Sequence, residues 1–302
     1  MATNVLRSFG DASVKESVLD VIEILTAEET NFLTSLGRDR GVNTVHSVLT
    51  DTLLTPASLA VAEGADASLS GLTTPSRDTN IMEIVAKSYG VSGTQRAAEH
   101  YGFGDEFTYQ TTKAMKDWKN AAEFDIVRST LVSGASGTAA KMAGIIAKVS
   151  TNNTSQTSGT VFSESILNGL LQDVWDNSNG DGAATDLYIG ARMKRKISGF
   201  AGRTGSQTIT KDMVTAVNSI DFYISDFGTH RIHLHRYVQQ SSDATDRILG
   251  VNPEHWGLAF LREPRVEDLA KTGDSTRAQV IGELTVEAKN ETTSFFADGY
   301  LK

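Results

Sequence analysis

The sequence predicts an α+β fold, and three observations carry that prediction. Residues 105–131, DEFTYQTTKAMKDWKNAAEFDIVRSTL, hold the periodicity of one long helix. Residues 282–300, GELTVEAKNETTSFFADGY, alternate Leu284, Val286 and Ala288 with Glu283, Thr285, Glu287 and Lys289, then turn near Asn290, as a strand does. The first third is extended and broken by a stretch of small residues with too few apolar side chains for a core of its own.

Taken in order, residues 1–40 are of mixed character, and SVKESVLDVIEILTAEETNFLTSLG contains an amphipathic stretch. Thr26 with Glu29 three positions on forms a capping box for a short helix. Residues 44–54, TVHSVLTDTLL, read as extended. Residues 56–80 are almost all small or polar, punctuated by Pro56, Gly64, Gly71 and Pro75. Structureless loops above ~12–15 residues are uncommon in compact domains and are usually functional or disordered. Residues 80–95 are extended again, so the segment reads as a long two-armed hairpin with a poorly cored tip.

Asp105 is the expected N-cap of the long helix. Phe107, Thr111, Met115, Trp118, Ala122 and Ile126 fall within one arc of about 100°. Phe124, Val127 and Leu131 make a second apolar patch, so the helix is expected to touch two layers. Residues 133–159 are a Gly/Ser/Thr-rich connection. Ser163 then opens a second helix, with Ile166, Leu167, Leu170, Leu171, Val174 and Trp175 on its buried face and Asn177–Gly182 ending it. Asp186–Ile189 is a strand. A short helix follows, with Met193, Ile197 and Phe200 buried and Arg192, Lys194, Arg195 and Lys196 on a solvated face. Beyond about residue 218 the chain is strand-like.

Composition narrows the function. The chain has 302 residues with ordinary apolar content, enough for one large domain or two ordinary ones. A net charge of −9 argues against a protein whose main task is gripping nucleic acid. The absence of cysteine removes disulfides, thiolate metal sites and cysteine nucleophiles. The first residues lack the basic and apolar regions of a secretory signal, and no apolar run reaches the ~18 residues of a membrane helix. A soluble protein of a reducing compartment is expected.

Chemical motifs are few. GFGDEF lacks the third glycine of a dinucleotide loop, GASGT has no histidine partner, and DNSNGDG lacks EF-hand spacing. The remaining candidate is THRIHLHRY, residues 229–237. On a strand, His233 and His235 point the same way, and two imidazoles so placed can reach one Zn²⁺, which still needs further ligands. A third would have to be His46, His100, His255 or a carboxylate, and nothing in the sequence marks one. The opposite face carries Ile232, Leu234 and Val238. The favoured reading is an exposed polar strand face, with a His-ligated metal enzyme using His233 and His235 as its rival.

The ordered parts resemble a known family. EILTAEETNFLTSLGRDRGVNTVHSVLTDTL (23–53), DFYISDFGTHRIHLHRYV (221–238) and GVNPEHWGLAFLREPRVEDLAKTGDSTRAQVIGELTVEAKN (250–290) resemble the HK97-fold major capsid proteins of tailed phages, in the SU10-like branch. That resemblance implies an N-terminal arm over 1–43 and an E-loop over 44–95. It implies a peripheral domain over 96–150 and 262–302, with its spine helix at 105–131, and an axial domain over 151–261. It implies a non-enzymatic shell subunit without cofactor or metal, made in the bacterial host cytoplasm and forming hexamers and pentamers of an icosahedral virion around double-stranded DNA. Portal, scaffold and decoration proteins are its expected partners, with only weak interior contact to the DNA and none to a membrane. An encapsulin-like cargo shell, which shares the fold, is the nearest alternative. The E-loop of the family lies over a neighbouring subunit, so Leu59, Val61, Leu69 and Leu72 are the expected inter-subunit contacts. Some members cross-link an E-loop lysine to a neighbour's asparagine, but residues 44–86 contain no lysine.

Overall fold

The computed structural model describes residues 30–54, 57–66, 71–99, 104–178, 180–201 and 221–302. The Thr26–Glu29 capping box and Leu69 lie outside them. The described helices are α1 (Asn31–Ser35), α2 (Gly93–Ala97), α3 (Glu106–Arg128), α4 (Ile145–Lys148), α5 (Glu164–Asn177) and α6 (Ala191–Ala201). The strands are β1 (Gly37–Arg40), β2 (Val45–Thr50), β3 (Ser76–Ile81), β4 (Glu83–Ser92), β5 (Asn153–Thr160) and β6 (Asp186–Ile189). They continue with β7 (Phe222–Ser225), β8 (Gly228–Leu234), β9 (Asp246–Val251), β10 (Trp256–Leu269), β11 (Ser275–Ala288) and β12 (Phe295–Tyr300). Three sheets result, ordered β1-β10-β11-β4, β5-β12-β9-β6-β8-β7 and β2-β3. This α+β arrangement matches the predicted class.

Helix α3 forms where its periodicity placed it. The Asp105 carboxylate accepts the Thr108 amide, and Glu106 and Arg128 complement the helix dipole at opposite ends. Ala114, Trp118, Ala122 and Ile126 are buried, and the helix packs along β4 and β11. The Trp118 indole donates to the Val85 carbonyl at 2.8 Å, so its polar edge is satisfied inside the core. Gly282 makes room for that ring, since a Cβ there would stand 2.7 Å from Trp118 Cζ2. The helix ends at Arg128, three residues before the predicted end, because Ser129 is extended (ψ 142) and its carbonyl accepts the returning Gly144 amide. A side chain at Gly144 would meet the Asp125 and Ile126 carbonyl oxygens at 2.8 Å, so the close return needs glycine.

The six-stranded sheet lies between two cores. On one face Leu187, Ile189, Ile232 and Ile248 meet Leu167, Leu171, Met193 and Ile197 of α5 and α6. On the other, Tyr188, Leu249, Val251 and Phe296 join the cluster that holds Phe32, Trp118 and Trp256. Burying each of these large side chains stabilises by about 1.5–3 kcal/mol, enough to fix both layers against the sheet.

Two expectations are corrected here. Trp175 was placed on the buried face of α5 but is half exposed, its ring reaching Phe227, in the turn between β7 and β8, with centroids 6.4 Å apart. The basic residues of α6 are also not a free solvated face. Arg192 and Lys196 both reach the wholly buried Asp246 carboxylate of β9, and Lys194 pairs with Asp221, which leaves Arg195 exposed. Asp246 lies directly beneath the helix, and an unpaired buried carboxylate would be costly.

Candidate interaction surface

Strands β2 and β3 form a two-stranded arm whose opposed residues share a face. One face carries His46, Val48 and Thr50 against Asn80, Asp78 and Ser76, and it is bolted to the body. His46 Nε2 lies 2.6 Å from Glu287 Oε1. Lys148 Nζ lies 2.7 Å from Asp78 Oδ1. Asn80 is buried; its amide donates to the Ala143 and Val286 carbonyls and its oxygen accepts from the Ala143 and Ile81 amides. All its hydrogen-bonding capacity is engaged. The arm is therefore held rigidly at its base.

The opposite face carries Val45, Ser47 and Leu49 against Ile81, Thr79 and Arg77. Val45 and Leu49 are exposed, and past the strand Leu53 is 97% exposed. Further out Leu59, Val61 and Leu72 are 87%, 81% and 91% exposed, so three of the four contact residues named from the sequence sit on open surface. Val45, Leu49 and Leu53 add exposed apolar side chains that a reading of the tip alone does not name. The signal was present, since residues 45, 47, 49, 51 and 53 share one face of an extended chain.

Where β4 leaves the arm, Glu83 is buried beside the end of α3. Its carboxylate accepts the Met142 amide at 3.1 Å. Burial, reinforced by the Asp125 charge, pushes its pKa up to about 7. Burial also raises Asp125 above the usual carboxylate range.

The histidines do not form the exposed face expected of them. His235 lies just past the end of β8 and is buried with its Nε2 2.9 Å from Glu123 Oε1. Its Nδ1 accepts the Tyr237 amide, which assigns the proton to Nε2 and makes the ring a donor to Glu123. The same carboxylate accepts the Phe32 and Leu33 amides at 2.7 and 2.8 Å, so it caps α1 from another element. His233, partly exposed, stacks on Tyr188 and meets Asp186 at 2.8 Å. His230 is buried with Nδ1 donating to the Ala184 carbonyl, and burial lowers its pKa. His233 and His235 are thus each engaged by a separate carboxylate. Among the described residues no three His, Asp or Glu side chains gather as a metal site would require.

Comparison with known proteins adds three findings. The family described as SU10 major capsid protein matches residues 2–300. Among curated proteins, no sequence matches. The fold recurs in the capsid of a native GTA particle, with TM-score 0.68 and 11% identity over 97% of this chain and 97% of that one. It recurs in Microbacterium phage Oxtober96, at 0.68 and 12% over 96% of each chain. The holo-SrpI encapsulin complex of Synechococcus elongatus matches at 0.64 and 10%, over 98% of this chain and 96% of that one. Identities this low establish an HK97-like fold and no more.

Proposed function

The chain belongs to the SU10 major capsid protein family, a shell-forming structural protein of the virion, and from that premise we propose that it builds hexamers and pentamers of an icosahedral phage shell around double-stranded DNA. The observation that carries this reading is the arm, bolted to the body at Asn80, Asp78 and His46 and bare beyond. A rigid arm with apolar residues on open surface needs a second surface to cover them. Closed symmetry supplies it, since every subunit both gives and receives the same contact.

In this reading residues 1–43 are the N-terminal arm and 44–95 the E-loop. Residues 96–150 with 262–302 form the peripheral domain, and 151–261 the axial domain. Leu59, Val61, Leu69 and Leu72 contact the neighbouring subunit, joined by Val45, Leu49 and Leu53. The subunit performs no catalysis, is made in the bacterial host cytoplasm, and meets portal, scaffold and decoration proteins during assembly. Its interior touches DNA weakly, in keeping with the net charge of −9.

A cargo-enclosing shell is the second reading, favoured by the similarity to an encapsulin. Electron microscopy of particles formed by the purified chain, with analysis of their contents, tests both. Closed shells with double-stranded DNA in particles from infected cells support the phage reading. Shells holding a cargo enzyme support the other, and an absence of shells removes both.

A further inference from the structure

Three successive backbone amides hold the root of the arm, and each is taken by a different element. The Met142 amide donates to the Glu83 carboxylate, at the start of β4, at 3.1 Å. The Ala143 amide donates to Asn80 Oδ1 of β3 at 2.8 Å, and the Asn80 side-chain amide returns to the Ala143 carbonyl at 2.9 Å. The Gly144 amide donates to the Ser129 carbonyl, just past α3, at 2.8 Å. Residues 142–144 are thus a strap that ties the end of α3 to β3 and β4, on either side of the arm's root. Met142 is wholly buried and Ala143 nearly so. The strap therefore cannot exchange these partners for water without moving.

The strap's first partner is a carboxylate in a place that disfavours its charge. Glu83 is 6% exposed, and the partly buried Asp125 carboxylate of α3 bears on it with like charge. Lys141, at the head of the strap, is a cation that acts on both carboxylates. Neighbouring charges on the packed elements have partners of their own. Glu283 and Glu287 of β11 lie on the opposite face of the sheet, with Arg262 at 2.9 Å and His46 at 2.6 Å. Asp78 of β3 is held by Lys148, and Glu123 of α3 by His235. Burial, with Asp125 adding to it, raises Glu83 to about 7, so its charge changes near neutrality.

We propose that the 142–144 strap is a proton-operated joint, closed while Glu83 is neutral and loosened when Glu83 ionises, so that the arm turns more freely at its root above neutral pH. Opening gives the ionised carboxylate access to water and separates it from Asp125, both of which the closed strap denies. Because Ala143 follows Met142 directly, release from Glu83 also loosens the grip of Asn80. The joint lies within one chain and does not depend on the arm's far end meeting a neighbour. On the shell reading, it sets how freely the arm swings before it docks.

Amide hydrogen exchange of the unassembled full-length chain reads the joint directly. Protection at Met142, Ala143 and Gly144 is measured at about pH 5.5 and pH 8 in wild type and in Glu83→Gln, so that the intrinsic pH dependence of exchange cancels in their ratio. Wild-type protection of the strap is expected to fall relative to the variant by about tenfold or more between those values. The strap is also expected to be less protected than the amides of the central strand β9, because it opens without the rest of the chain. Both results together support the proposal. A ratio that stays constant with pH overturns it. Strap protection equal to that of β9 at both pH values also overturns it, since the strap then opens only when the whole chain unfolds. If Glu83→Gln fails to fold, Asp125→Asn takes its place, because it removes the like charge and leaves Glu83 free to titrate. A smaller fall in that variant than in wild type then supports the proposal, and an equal fall overturns it.

Discussion

Glu123 and His235 meet 2.9 Å apart inside the protein with neither side chain exposed, and they tie three elements together. Glu123 belongs to α3, His235 follows β8, and the carboxylate also receives the first amides of α1. Removing the imidazole leaves a cavity and a buried charge short of one donor. His235→Ala is therefore expected to destabilise the unassembled chain by about 3 kcal/mol. His233→Ala removes only a partly exposed pair with Asp186 and should cost less than about 1 kcal/mol. Urea unfolding of both variants checks this, and equal costs would refute the distinction between the two histidines.

Asn80 is the buried bolt of the arm. Asn80→Ala leaves the Ala143 amide and carbonyl and the Val286 carbonyl without their partner. The expected loss is about 2 kcal/mol or more, together with faster proteolytic cleavage within β2 and β3. Unchanged cleavage would show that the arm is held elsewhere.

Glu83 sets a pH dependence opposite to that of most carboxylates. Its pKa is raised from 4.5 to about 7, so between those values the folded chain binds more protons than the unfolded one. Its contribution to stability is fully present below 4.5 and is lost as pH rises through about 7. Glu83→Gln keeps an oxygen for the Met142 amide and cannot ionise. The stability of wild type relative to this variant should fall between pH 6 and pH 8, and urea titrations at both pH values measure it. A constant difference would mean that Glu83 titrates normally.

The hairpin tip should be dispensable for folding and needed for assembly. Replacing residues 58–73 with a short Gly-Ser turn removes side chains that, among the described residues, all lie on open surface. Circular dichroism and melting of the unassembled protein should change little, while closed shells disappear. Uniform shells of wild-type size from the shortened protein would sink the E-loop assignment.

Particles should be held together without covalent links through the arm. Residues 44–86 contain no lysine, and Lys87 lies on β4 beside α3, where it pairs with Asp117 at 3.4 Å. A boiled sample should run as one band near 32.5 kDa. A ladder of multimers would contradict this.

Much of the architecture was readable before any coordinates, because it rests on local physics. The N-caps Asp105 and Ser163, the stripe ending in Trp118, Ala122 and Ile126, and the alternation of β11 each declare themselves within a few turns or strand repeats. The bare arm was readable for the same reason: a run with so few apolar residues, scattered among small and polar ones, cannot build a core of its own. What sequence reasoning got wrong depended on partners distant along the chain. His235 looked like a polar strand residue, and only the fold brought it to Glu123, 112 positions earlier, at the one point where α1, α3 and β8 converge. Arg192 and Lys196 looked solvated until β9 placed Asp246 beneath them. A buried charge is tolerated only where a distant segment supplies its counterpart, so periodicity and composition determined the elements and tertiary structure alone decided which polar side chains hold them together.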